Sequence, residues 1–195
     1  YFSCWGVWSI AATSTIGNFP VPGNGLSFFE DHVWVSGIIN TARLTIASAK
    51  FPEDPNTNTN IIVNDDLSYT NFDGQDVVGL VAQNNVTVGL YSKDVMRIDA
   101  ALVAKNGRIG RFYYREPSGG GNQFCGNTAI RASITMTGII ATNKRYGFSW
   151  ACGAILCSGY ITRNINYDPN LLYYPPPSFP ASSSEYDIIS WEEVK

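Results

Sequence analysis

At 195 residues the chain can bury a full core, yet only 15% of it is charged, below the roughly one quarter usual in soluble domains. Sixteen acidic against 13 basic residues leave a net charge of −3, which excludes a nucleic-acid binder built on a basic stripe. No apolar run reaches the about 18 residues that a membrane-spanning helix needs.

Residues 1–30 are aromatic and rich in turns. Phe19-Pro-Val-Pro-Gly-Asn-Gly25 is too densely punctuated for regular structure, and Trp5, Trp8, Phe28 and Phe29 are expected to cap one end of a core. From Val33 onward the pattern is short strands with period-two alternation. The first series is Val33-Trp-Val35, Ile38-Ile39, Leu44-Thr-Ile46, Ile61-Ile-Val63 and Leu67-Ser-Tyr69. Val77-Val78, Leu80-Val81, Val86-Thr-Val88, Met96-Arg-Ile98, Leu102-Val103, Ile134-Thr-Met136 and Ile139-Ile140 follow. Little or no helix is expected after residue 30. Residues 51–60 form a polar loop, and Glu116-Pro-Ser-Gly-Gly-Gly-Asn122 is an excursion. The end of the chain changes character. Its Tyr173-Tyr-Pro-Pro-Pro-Ser-Phe-Pro180 forces extended polyproline geometry, read as a strap over a sheet edge rather than a docking peptide.

A phrase recurs at positions 37, 79, 101 and 138, as Gly37-Ile-Ile-Asn, Gly79-Leu-Val-Ala-Gln-Asn, Ala101-Leu-Val-Ala-Lys-Asn and Gly138-Ile-Ile-Ala-Thr-Asn. Recurrence with variable insertions predicts stacked units, and hence an all-β chain folded as a single right-handed β-helix or solenoid. Its parts are a cap over 1–30, the β-solenoid over 31–165 and a proline-rich strap over 166–195, one structural domain overall. Leu80, Leu102 and Ile139 are expected in adjacent layers of one column. Asn84, Asn106 and Asn143 are expected at the corners as an amide ladder rather than as a glycan-binding stripe.

Four cysteines, Cys4, Cys125, Cys152 and Cys157, allow three pairings. Cys152 with Cys157 and Cys4 with Cys125 are the disulfide candidates, in an oxidising compartment. Free thiols are the alternative. A metal site finds little support, because the only histidine, His32, is remote in sequence. The same isolation argues against a Ser-His-Asp triad.

Asp65, Asp66, Asp73, Asp76, Asp94 and Asp99 are the acids available for chemistry, but most sit in turn-forming sequence where Asp bonds to its own backbone. Asp73-Gly-Gln-Asp76 lacks the ligand series of a calcium loop, and Gly119-Gly-Gly121 lacks the Lys-Ser/Thr of a phosphate loop. Arg108, Arg111 and Arg115 read as a solvated edge rather than an anion site.

The run Asp76-Val-Val-Gly-Leu-Val-Ala-Gln-Asn-Asn-Val, the phrase Ile98-Asp-Ala-Ala-Leu-Val-Ala-Lys-Asn-Gly and the proline tail resemble an uncharacterised bacterial family. Its members are exported or surface-associated and often start like type IV pilus assembly proteins of the PilX kind. The resemblance covers about residues 30–195 and implies a β-solenoid displayed outside the cytoplasmic membrane; it carries over no catalytic residue. Ser149-Trp-Ala-Cys-Gly lies in a family-like segment, which favours a structural loop at Cys152 and Cys157.

The expected function is therefore a non-catalytic extracellular structural or adhesive module of a surface filament or envelope complex, without cofactor. Its partners are proteins of that complex or glycan, met through the interface aromatics Tyr146, Tyr160, Tyr173 and Tyr174. The alternatives are a carbohydrate-active β-helix enzyme using Asp on one face, and a self-assembling scaffold of the bactofilin type. The chain opens on Tyr1 rather than Met, which reads as a fragment or processed form. A membrane is expected as a partner only through a segment outside these residues.

Overall fold

Val77-Val-Gly-Leu-Val-Ala82 is apolar at nearly every position, the signature of a parallel strand covered on both faces. In a computed structural model, which describes residues 10, 12–114 and 128–180, it forms a central strand of the larger of two sheets. In chain order the strands are β1 (Leu26–Phe29), β2 (Val33–Trp34), β3 (Gly37–Ile39), β4 (Arg43–Ser48), β5 (Ile61–Ile62), β6 (Leu67–Tyr69) and β7 (Val77–Ala82). They continue as β8 (Val86–Val88), β9 (Val95–Ala104), β10 (Ile109–Arg111), β11 (Ile130–Thr142), β12 (Ser149–Cys152) and β13 (Ile155–Tyr167). A single turn of helix, α1 (Asn170–Tyr173), follows.

The larger sheet runs β1-β4-β7-β9-β11-β13-β12, with β3 and β6 joined to the side of β9. The smaller runs β10-β8-β5-β2. All pairings are parallel except β12 with β13, which are antiparallel. Between the sheets lies the main core, where Leu80, Leu102 and Met136 are fully buried. The opposite face of the larger sheet holds Val77, Ala101 and Ile139, covered by Leu171 and Phe179. That cover is possible because the strand residues there are small. A Cβ on Gly79 would sit 2.8 Å from the Phe179 ring and 2.9 Å from Pro176.

The register separates two sets of residues in the repeated phrase. Leu80 lies opposite Leu102, and Leu102 opposite Ile140, with Ile46 on the far side of Leu80. Ile139 instead lies opposite Ala101. The fourth copy of the phrase is thus shifted by one residue, and side chains in a strand alternate faces. Leu80 and Leu102 share a core column with Ile140, while Ile139 points to the other side. The first copy falls elsewhere, since Gly37 pairs with Leu67.

The architecture corrects the expectation of a single right-handed β-helix. Two sheets carry parallel strands, but no closed coil joins them, and β12 reverses direction against β13. The physical reason is length. β9, β11 and β13 run 10, 13 and 13 residues without a corner, whereas the strands of the smaller sheet are two or three residues long. The smaller sheet ends at β10, so β11 and β13 continue the larger sheet with no strand opposite them among the described residues.

The corner ladder is also displaced. Asn84, Asn106 and Asn143 make no side-chain bonds to one another. The Asn85 amide donates to Asn60 Oδ1 at 2.9 Å, the Asn60 N–H donates to His32 Nδ1 at 2.9 Å, and the Arg108 N–H donates to Asn85 Oδ1 at 2.9 Å. Asn106 turns outward and donates to Glu53. The residues of the ladder are therefore His32, Asn60 and Asn85.

Candidate functional site

Where the smaller sheet stops, the core column of the larger one changes chemistry. Met96 pairs with Ile134 and Ile134 with Arg163; one step along, Ile98 pairs with Met136 and Met136 with Ile165. The first two layers are buried, but Ile165 is 43% exposed and Arg163 is exposed too. With no facing strand among the described residues, the inner face of β13 opens into a cleft of about 720 Å³.

The opposite wall is residues 145–151. Gly147 seats on β10: its N–H donates to the Ile109 carbonyl at 3.1 Å, and its carbonyl accepts from the Arg111 N–H at 2.9 Å. Two glycines permit this approach. A Cβ on Gly110 (φ +147°) would lie 2.0 Å from the Gly147 oxygen, and one on Gly159 (φ +92°) would lie 2.2 Å from the Phe148 oxygen. Neither position can hold a side chain without moving the backbone. The wall then enters β12, whose Cys152 is bonded to Cys157 of β13. The disulfide closes the hairpin tip beside the cleft.

Three arginines converge on this space: Arg108, Arg145 and Arg163. Arg108 is half-buried, its guanidinium 4.6 Å from the Phe112 ring centre and 5.0 Å from that of Trp150. It donates from Nη2 to the Arg111 carbonyl at 3.1 Å, and the Trp150 indole donates to the same oxygen at 3.0 Å. Burial draws the Arg108 pKa down from its ordinary value. Arg163 is held through Nη1 by the Tyr160 and Ile161 carbonyls at 2.9 and 3.2 Å. Arg145 has no hydrogen bond or ion pair among the described residues. No carboxylate is among the described lining residues, which add Tyr146, Trp150 and Ser149 as the main polar or aromatic groups.

Beneath the cleft lies a second cationic layer. Arg111 is fully buried and donates to the carbonyls of Ala129, Leu90 and Thr128. Its guanidinium lies 4.7 Å from the Tyr114 ring and 5.8 Å from that of Tyr160, and burial lowers its pKa to about 10. This corrects the reading of Arg108 and Arg111 as a solvated edge; Arg115 lies outside the described residues. Tyr160 is corrected as well. It is fully buried, and its hydroxyl donates to the Lys93 carbonyl at 2.8 Å, so it anchors β13 instead of meeting a partner. Tyr146, Tyr173 and Tyr174 are exposed, but only Tyr146 lines the cleft; Tyr174 packs over Gly74, 5.8 Å from the Arg43 guanidinium. Cys4 and Cys125 lie outside the described residues.

The six aspartates have other occupations. Each accepts from a backbone N–H: Asp65 from Asp66, Asp66 from Arg97, Asp73 from Gln75, Asp76 from Thr41 and Asn71, Asp94 from Ala132, and Asp99 from Tyr69. Asp65 and Asp66 also pair with Lys93, and Asp99 with Arg97. No group of His, Cys, Asp and Glu able to hold a metal occurs among the described residues. A second, smaller concavity beside Tyr174 contains Asp73 alone among these acids. No family model, curated protein or solved structure matches the chain.

Nothing in sequence spacing joins positions 108, 145 and 163. The parallel register and the glycine contact at Gly110 and Gly147 bring them together.

Proposed function

We propose that the chain is a non-catalytic adhesive module displayed outside the cytoplasm, in a bacterial surface filament or envelope complex such as a pilus-associated assembly, and that the cleft beside the disulfide hairpin is its contact site. The observation that carries this reading is the cleft's chemistry: three arginines and three aromatics and, among the described residues, no acid–base carboxylate pair of the kind glycoside hydrolysis uses. The Cys152–Cys157 bond is consistent with an oxidising compartment, and among the described residues no helix is long and apolar enough to cross a membrane. All six aspartates accept backbone N–H bonds, Asp65 and Asp73 locally and Asp66, Asp76, Asp94 and Asp99 from residues distant in sequence, and this structural use weakens the carbohydrate-active alternative.

The test is a panel of surface polysaccharides run as affinity gels, with reducing ends assayed in parallel. Retention without new reducing ends is expected. Release of reducing ends or unsaturated sugars by the purified chain would overturn the reading.

A further inference from the structure

Resting on the contact site proposed above, we infer that the ligand of this cleft is an anionic polysaccharide, a sugar chain bearing carboxylate or sulfate groups. Three observations converge on that class. First, the cleft gathers three guanidinium groups in a chain whose net charge is −3, with no carboxylate lining it among the described residues. The four ion pairs of the described residues use Lys93, Arg97 and Lys105, none of them at the cleft. Guanidinium presents a planar fork of donors that matches a carboxylate or sulfate edge.

Second, two of the three cations are pre-positioned. Arg108 is held by two aromatic rings and a carbonyl, and Arg163 by two carbonyls through one nitrogen only, so that further N–H groups remain for a ligand. At Arg108, the half-buried one of the three, burial strengthens the interaction, because the local dielectric is lower than that of water.

Third, Tyr146 is half exposed at the mouth and Trp150 lies in the wall. Aromatic faces flanking cations suit a sugar ring, which carries apolar C–H faces between its charged substituents. The plainer account is that Arg163 merely blunts a sheet end. That account does not cover Arg108, which belongs to an earlier layer and is stacked on Phe112 and Trp150 at the cleft. Nucleic acid is disfavoured by the acidic balance of the chain.

The probes are polygalacturonate for carboxylate, dextran sulfate for sulfate and dextran as the neutral polymer. Retention by affinity electrophoresis is measured on the full chain at low and high salt. The exposed pair Arg145→Glu and Arg163→Glu is compared with Lys105→Glu made together with Lys50→Glu, the same four-unit change in charge away from the cleft. Loss of apparent affinity of about tenfold or more in the double arginine variant, with little change in the double lysine variant, is the expected result, as is weakening at high salt. Which polyanion binds more tightly decides between carboxylate and sulfate. Equal losses in the double arginine and double lysine variants would overturn the inference, as would no retention on either polyanion. Retention on dextran that is lost in Tyr146→Ala but unaffected by the arginine changes would also overturn it, while leaving the adhesive reading in place.

Discussion

Three phenols, Tyr69, Tyr114 and Tyr160, are packed inside, and burial is the largest influence raising the pKa of each; that of Tyr114 reaches about 12. A raised folded pKa means that the native state keeps its proton where the unfolded chain has lost it. The stability each phenol contributes is therefore intact below the ordinary tyrosine pKa near 10, and is lost as pH climbs through the folded value. Arg111, whose folded pKa burial lowers, acts with the opposite sign. We predict that phenolate absorbance rises in two stages. The later stage belongs to the buried set, which ionises above the ordinary tyrosine range together with loss of β-structure by circular dichroism. A single titration of all 11 tyrosines near pH 10 with the fold retained would show that these rings are solvated.

At the scale of elements, the hairpin of β12 and β13 supplies one cleft wall, and its outer residues are exposed. The Cys152–Cys157 bond spans five residues, and closing so short a loop contributes at most about 2 kcal/mol by chain entropy. Replacing both cysteines by serine is predicted to lower the melting temperature by no more than about 4–8 °C. It should speed hydrogen exchange at residues 149–157, with β7 and β9 unchanged. Exchange that quickens throughout the larger sheet would mean that the hairpin supports the core. The strands themselves were legible in part. Val77-Val78 with Leu80-Val81 reads as two strands because Gly79 interrupts the pattern, yet β7 is continuous, for the glycine makes room for Phe179. β13 escapes a hydrophobicity reading because Ile161-Thr-Arg-Asn-Ile-Asn-Tyr167 is mostly polar. Its ladder with β11 over eight register pairs holds it in place.

For the molecule as a whole, the mismatch between a long sheet and a short one generates the site. The recurring phrase predicted parallel layers sharing a Leu80, Leu102 and Ile139 column; the register pairs Leu80 with Leu102 but places Ile140 in that column and Ile139 on the other face. The phrase could not predict that, among the described residues, the smaller sheet ends at β10, because the cause lies in the corner-free length of β11 and β13. Neither could it predict the cleft, whose arginines come from three distant stretches and whose seat depends on backbone contact at Gly110. The most direct measurement is hydrogen–deuterium exchange of the full chain with and without saturating polygalacturonate. The account predicts protection confined to residues 145–151 and 161–165. Protection centred instead on the aspartate turns at 65–66 and 73–76, with residues 145–151 unaffected, would contradict it.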